Sequence, residues 1–299
     1  MKVSVCITTF NKEKFIAQAL DSILKQKTSF DFEILIYDDA SSDATVSIIR
    51  KYQKKYSNII LYANSKNEYG SGFYGINERN LFPRAKGQYI AMCDGDDYWT
   101  DNFKLKKQVD FLDLNLEYIL CCHDGDVFYQ ELNAFGVVYK ESFQNPITFQ
   151  DIIAMGGNLC PTSSIMFRNN INKYPDFIFE AMSNDRALTY FLMTLGKFWF
   201  IKEKMCVYRV HSKGLTAWGD QKIRLKYLKS NVDLLVRFRE FTKESYVLKK
   251  YINKELSNTG KNIFYLDSIS KNKIYFKHII IKDMFKVLIF KLLVLLKVK

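Results

Sequence analysis

The chain has 299 residues, 48% of them apolar and 25% charged, with 13 Gly and 4 Pro. That is the composition of a folded globular protein, and it excludes a disordered, collagen-like or low-complexity chain. Of the 44 Lys+Arg and 32 Asp+Glu, 19 and 6 follow residue 220, so the tail carries +13 and the first 220 residues −1. A near-neutral body with a basic tail calls for an anionic partner of the tail, not of the body.

The elements follow in order. Residues 3–9 (VSVCITT) predict a strand, and Glu13 to Lys25, with Phe15, Ile16, Ala19, Leu20, Ile23 and Leu24 on one face, a helix. Residues 33–37 (EILIY) read as a buried strand ending at Asp38-Asp39. Ser41 or Ser42 is placed to cap a helix reaching Lys55, and 59–62 (IILY) is a third strand. Strand, helix, strand, helix, strand predicts a mostly parallel sheet with helices on both faces. Residues 63–80 read as a loop and a short helix. A fourth strand, Gln88 to Cys93, runs into Asp94-Gly95-Asp96-Asp97, and a helix follows over 102–112. Strands are expected near 117–122, 125–129, 162–167 and 197–209, a helix from Asn184 to Leu195, and basic helices after Gln221. The domain boundary is expected near Trp218-Gly219-Asp220. It separates a body (1–220, halves 1–110 and 111–220) from a basic helical extension (221–299).

Two acidic clusters end two apolar strands. In an open parallel sheet, ligands bind beyond the carboxyl ends of the strands, so both clusters face one crevice. Carboxylates gathered there repel one another unless a cation compensates, and a hard divalent cation completed by phosphate oxygens is a natural answer. Acids after strands also serve as plain turn and cap residues. The six cysteines form no C-x-x-C pair and read as reduced thiols of a cytosolic protein. The first apolar run is too short for a signal peptide.

VSVCITTFNKEKFIAQALDSILKQ, EILIYDDASSDAT and AKGQYIAMCDGDDYWTDNFKLKKQVDFL, in this order, resemble a family-2 glycosyltransferase of the GT-A fold. The likeness continues more loosely through NLCPTSSIMFRN, SNDRALTYFL and VYRVHSKGLT, and DGDDYWTD resembles bacterial members that build surface polysaccharides and glycolipids. The resemblance implies an α/β nucleotide-diphospho-sugar transferase fold and inverting transfer from a nucleotide-sugar, with UDP the expected nucleotide. Thr8 and Phe10 then hold the base. Asp39 accepts a hydrogen bond from it, and Arg79 or Asn80 helps hold the nucleotide. Asp94 faces the ribose. Asp96 binds Mn²⁺ or Mg²⁺, while Asp97 orients the turn. Asp185 is the general base. Arg209 and His211 fall where the family contacts diphosphate or metal, with Lys213 on the same loop. Asn158 and Thr162 border the acceptor, expected to be a glycan or lipid-linked glycan. Trp99 is placed to stack on a sugar or to pack under the turn, packing being favoured, and His123 and His278 stay unassigned.

Residues 274–299 alternate apolar runs with lysines. No Lys-free stretch exceeds five residues, too short for a spanning helix. An interfacial helix on an anionic membrane, at the cytoplasmic face, fits this pattern, as does a helix packed on protein. Three other readings compete. A sugar-phosphate nucleotidyltransferase would open with a Gly-rich loop, and no glycine precedes Gly70. A nucleic-acid binder would not confine its charge to an apolar tail beside an acidic cleft. An inactive relative would not keep the D-x-D and Asp185.

Overall fold

The computed structural model describes residues 1–136, 144–154, 160–212, 214 and 221–270, without the side chains of 154, 221–224 and 260–270. The first half alternates strands and helices: β1 (Val3–Thr9), α1 (Ile16–Leu24), β2 (Phe32–Asp38), α2 (Thr45–Lys55), β3 (Ile59–Ala63), α3 (Ile76–Asn80), β4 (Tyr89–Asp94), β5 (Tyr98–Trp99) and α4 (Lys104–Leu114). Then come β6 (Tyr118–Tyr129), β7 (Ala134–Gly136), α5 (Phe149–Ala154), β8 (Met166–Arg168), α6 (Asp176–Glu180), α7 (Asn184–Leu192), β9 (Lys197–Val210), α8 (Gln221–Phe241) and α9 (Tyr246–Ser270).

One sheet orders the strands β3-β2-β1-β4-β8-β6-β9-β5, with β7 on β6. The β3-β2-β1-β4 half is parallel, as expected. Antiparallel β8 joins it to β6, which runs parallel to β9. Val3, Val5, Ile7, Ile34, Ile36 and Ala91 are fully buried, with Ile16, Leu20 and Ile23 of α1 in the same core. That is why these strands read as unbroken apolar runs: both faces of a parallel sheet are covered.

Three sequence expectations change. The segments 117–122 and 125–129 are one strand, β6. It runs through Asp124-Gly125-Asp126 because β9 stays paired across it, with register shifts at His123/Asp124 and Asp124/Gly125. The strand expected over 162–167 shrinks to β8, since Thr162–Ser164 form a single 3₁₀ turn. Neither Ser41 nor Ser42 caps α2. Ser41 is bound to Asp38 and Asn11, and the Asp43 carboxylate accepts instead from the Thr45 amide at 2.9 Å.

The chain divides into two compact units. One is residues 1–180 with 184–217, and the other is 181–183 with the chain from 218 onward. In the second unit α8 and α9 pack together, with Val232, Phe238, Ile252 and Leu256 buried and Arg239 Nη1 donating to Asn253 Oδ1 at 3.2 Å. Among the described residues no helix is long and apolar enough to cross a membrane. The 274–299 segment lies outside them. All six cysteines are free thiols, and all but Cys160 are buried.

Candidate active site

Strand register brings the acidic clusters together. Thr9 of β1 pairs with Asp38 of β2, and Thr8 with Asp94 of β4, so three carboxyl ends form one edge. Past that edge the backbone turns sharply. Asn11 and Ala40 adopt left-handed φ of 53° and 66°, a conformation that costs a non-glycine residue of order 1–3 kcal/mol. Side chains hold it: Asn11 N donates to Ser41 Oγ at 2.7 Å, Ser42 N to Asn11 Oδ1 at 2.8 Å, and Ser41 Oγ to Asp38 Oδ2 at 2.6 Å. These bonds lock the loops after β1 and β2 to each other.

The nucleotide-side residues sit on this frame. The Phe10 ring is 42% exposed, so a face is open for stacking. The Asp39 backbone N–H donates to Thr9 O at 2.9 Å. Its carboxylate accepts from the Glu68 and Tyr69 amides at 2.7 and 3.0 Å, and so holds the 64–75 loop as well as facing the crevice. Arg79 lies over the Phe179 ring at 4.5 Å with Nε on Tyr74 O, and Asn80 Nδ2 donates to Glu68 Oε2 at 3.3 Å. The Thr8 side chain stands near the Asp94 carboxyl and favours its ionised form. Burial, then the charges of Asp96 and Asp185, push Asp94 up to about 7.

The turn after β4 needs glycine at 95, where a Cβ would stand 2.7 Å from Thr9 Oγ1 and 3.3 Å from Thr8 O. Beyond it the two acids part. Asp97 is buried and structural: Oδ1 accepts from Arg209 N at 2.9 Å and Oδ2 from Ser163 Oγ at 2.6 Å. Asp96 faces cations. Lys12 Nζ lies 2.5 Å from Asp96 Oδ2, His211 Nε2 lies 2.9 Å from that oxygen, and Lys12 and His211 are 3.2 Å apart. Burial pushes the Asp96 carboxyl up, but the His211 and Lys12 hydrogen bonds and charges outweigh it and hold it below the ordinary range. The Lys12 and Asp96 side chains are only 15% and 16% exposed, so solvent screens the pair little.

This is also the test of a divalent cation. A carboxylate oxygen and an imidazole nitrogen 2.9 Å apart suit Mn²⁺ or Mg²⁺ as a partial shell. Among the described residues no group of three or more His, Cys, Asp or Glu makes a complete one. The pair therefore fits a cation that arrives with diphosphate oxygens, and Lys12 supplies the positive charge between the same two groups. Nothing in the sequence marked Lys12, one of several lysines in a polar loop.

Arg209 is placed differently from the diphosphate contact expected of it. Its guanidinium donates to Asp96 O at 2.8 Å, Gln130 Oε1 at 2.5 Å and Gln18 Oε1 at 2.6 Å. It lies 4.7, 5.3 and 5.7 Å from the ring centroids of Phe15, Tyr98 and Phe128. Three of its five donors are spent on the scaffold, and the residue is 7% exposed. Trp99 packs as expected, buried, with Nε1 donating to Ser163 O at 2.8 Å.

Asp185 stands in the first turn of α7, with Oδ1 accepting from the Arg186 amide at 2.8 Å. Thr162 Oγ1 donates to Asp185 Oδ2 at 3.3 Å, which joins two of the sequence candidates. Asn158 and Lys213 lie outside the described residues. His123 is buried, with Nδ1 2.7 Å from Asp124 O.

The glycosyl transferase family 2 profile matches residues 4–171. The chain belongs to that family. An uncharacterized protein of Mycobacterium tuberculosis is 32% identical over 222 residues, covering 74% of this chain and 62% of that protein. The chain thus spans about six tenths of the first curated relatives it matches. A poly(ribitol-phosphate) beta-glucosyltransferase of Bacillus spizizenii is 37% identical over 99 residues, 33% of this chain and 15% of that enzyme. Among solved structures, Staphylococcus aureus TarS 1–349 in complex with UDP superposes with a TM-score of 0.60 at 21% identity, covering 89% of this chain and 72% of that one. At that identity the likeness establishes the fold. This family-2 chain has the mixed α/β architecture of TarS, with its acidic clusters at the carboxyl edge of the parallel strands.

Proposed function

We propose that this chain transfers a sugar from a nucleoside diphosphate donor, with UDP as the nucleotide, to an acceptor hydroxyl with inversion. The observation that carries the reading is the convergence of Asp94, Asp96, His211 and Lys12 beside Asp185, with Phe10 and Asp39 on the same edge. Phe10 stacks on the base, the Asp39 carboxylate accepts from the base N–H, and Asp94 faces the ribose hydroxyls. Asp96 and His211 would hold Mn²⁺ or Mg²⁺, and a divalent cation there would supply charge neutralisation for the departing diphosphate. Lys12, which touches both groups, holds that place when no cation is bound. Asp185, oriented by Thr162, takes the proton of the acceptor hydroxyl as it attacks the anomeric carbon.

The acceptor we propose is a hydroxyl-rich glycan or polyol polymer of the cell surface. Relatives named for poly(ribitol-phosphate) glycosylation support it. The basic, apolar 274–299 run supports a place on the cytoplasmic face of an anionic membrane, and removal of 283–299 should release the protein from anionic vesicles in a flotation assay.

The deciding experiment is thermal shift with UDP-, GDP-, dTDP- and CMP-sugars, with and without Mn²⁺. Metal-dependent stabilisation by one UDP-sugar supports the reading, since a ligand at 100 times its Kd adds roughly 2.7 kcal/mol. Stabilisation by no donor overturns it.

A further inference from the structure

Asp96 and His211 reach the crevice from different strands. On the edge of β9 that faces the acidic turn, main-chain pairing with β5 ends at Tyr98–Val207, short of His211. A side chain carries the link further: Asp97 Oδ1 accepts from Arg209 N at 2.9 Å. The other carboxyl oxygen, Oδ2, accepts from Ser163 Oγ at 2.6 Å, and Ser163 Oγ accepts from Asp94 N at 3.2 Å. One hydroxyl thus spends its single donor and a lone pair on the two ends of the acidic turn. Ser163 is fully buried and Asp97 is 1% exposed, so water does not stand in for either contact. The main chain around the serine is anchored without the hydroxyl. Ser163 O accepts from Trp99 Nε1 and Ser164 O from Gln108 Nε2, both at 2.8 Å, and Met92 N donates to Ile165 O at 3.0 Å.

We propose that Ser163 is a positioning residue that, through Asp97, sets the distance between Asp96 and His211; this rests on the reading of those two groups as the cation's ligands. Asp97 follows Asp96 in the chain, and Arg209, which it holds, stands just before His211 at the end of β9. With Oδ2 fixed by Ser163, Oδ1 is aimed at Arg209 N. With the hydroxyl removed, Oδ2 loses that donor in a buried place, and the carboxylate is free to rotate away from Arg209 N. Arg209 Nε still donates to Asp96 O at 2.8 Å, so β9 stays attached to the turn. The expected result is a loosened pair of ligands in a folded protein.

The test is the Mn²⁺ affinity of the full chain in saturating UDP, read from the free Mn²⁺ electron paramagnetic resonance signal, with the melting temperature of each protein beside it. Ser163→Ala should bind Mn²⁺ several-fold more weakly. Asp97→Asn keeps an acceptor for Arg209 N but offers Ser163 Oγ a donor, and it should weaken Mn²⁺ in the same direction. In the double variant the two losses should not add, because both break one hydrogen bond. Ile49→Ala removes buried volume from α2, lowers the melting temperature and should leave Mn²⁺ affinity unchanged, which a merely structural role for Ser163 would also do. Unchanged affinity in Ser163→Ala, additive losses in the double variant, or an equal loss in Ile49→Ala overturns the inference. If Ser163→Ala does not fold, unchanged affinity in Asp97→Asn overturns it. Wild type that takes up no Mn²⁺ with UDP strikes the metal reading and this inference with it, whereas uptake by wild type with unaltered variants strikes this inference alone.

Discussion

Lys12 and Asp96, 84 residues apart, meet at 2.5 Å, with His211 touching both. An ammonium therefore holds the point where the proposed cation would bridge Asp96 and His211. Lys12→Met should raise Mn²⁺ affinity in the absence of donor about tenfold, or ~1.4 kcal/mol, as read from the free Mn²⁺ electron paramagnetic resonance signal. An unchanged affinity would show that Lys12 does not compete for that place.

Asp96→Asn and Asp185→Asn should both abolish transfer, by different routes. The first should remove metal-dependent stabilisation by the donor. The second should leave donor stabilisation intact and slow transfer by about 10²–10⁴-fold, the usual worth of a general base. Donor binding lost in Asp185→Asn would make Asp185 a helix-capping residue only.

Arg209→Lys should cost about 2–4 kcal/mol of stability. A lysine cannot serve Asp96 O, Gln130 and Gln18 together from within three rings. The loss should appear as a melting temperature lowered by several degrees with or without UDP. If instead melting is unchanged and UDP affinity falls, Arg209 is a diphosphate ligand.

Glu78 gives a pH signature. Its folded carboxyl titrates near 8, mainly through burial, against about 4.3 in an unfolded chain. The folded state therefore binds the extra proton between those values. The associated stability is full below about pH 4 and is lost as pH rises through 8. Relative to Glu78→Gln, wild type should lose melting temperature from about pH 5 to pH 8 and level off above that. Parallel curves for the two proteins would refute the buried, protonated acid.

The sequence made the parallel half of the sheet and both acidic clusters legible, because apolar runs end at Asp38 and Asp94 where strands buried on both faces reach the edge. Asp185 and Thr162 were found only through their family context, and their 3.3 Å contact spans a separation that local patterning does not encode. Lys12 left no signal at all. Its role depends on the turn at Asn11, where a left-handed backbone points the next residue inward. The break expected between strands at 117–122 and 125–129 is a bulge instead, because pairing with β9 continues across His123 to Gly125. The cage around Arg209 joins rings from three distant segments, which its Y-R-x-H context does not encode.

The Asp39 carboxylate, which we propose reads the base, also holds the amides of Glu68 and Tyr69. Anyone redesigning this chain for another nucleotide would find those duties inseparable, because exchanging Asp39 to alter preference also releases the neighbouring loop. Phe10, which we propose stacks on the base, is 42% exposed, so its exchange alters that proposed contact without releasing a loop through a buried carboxylate.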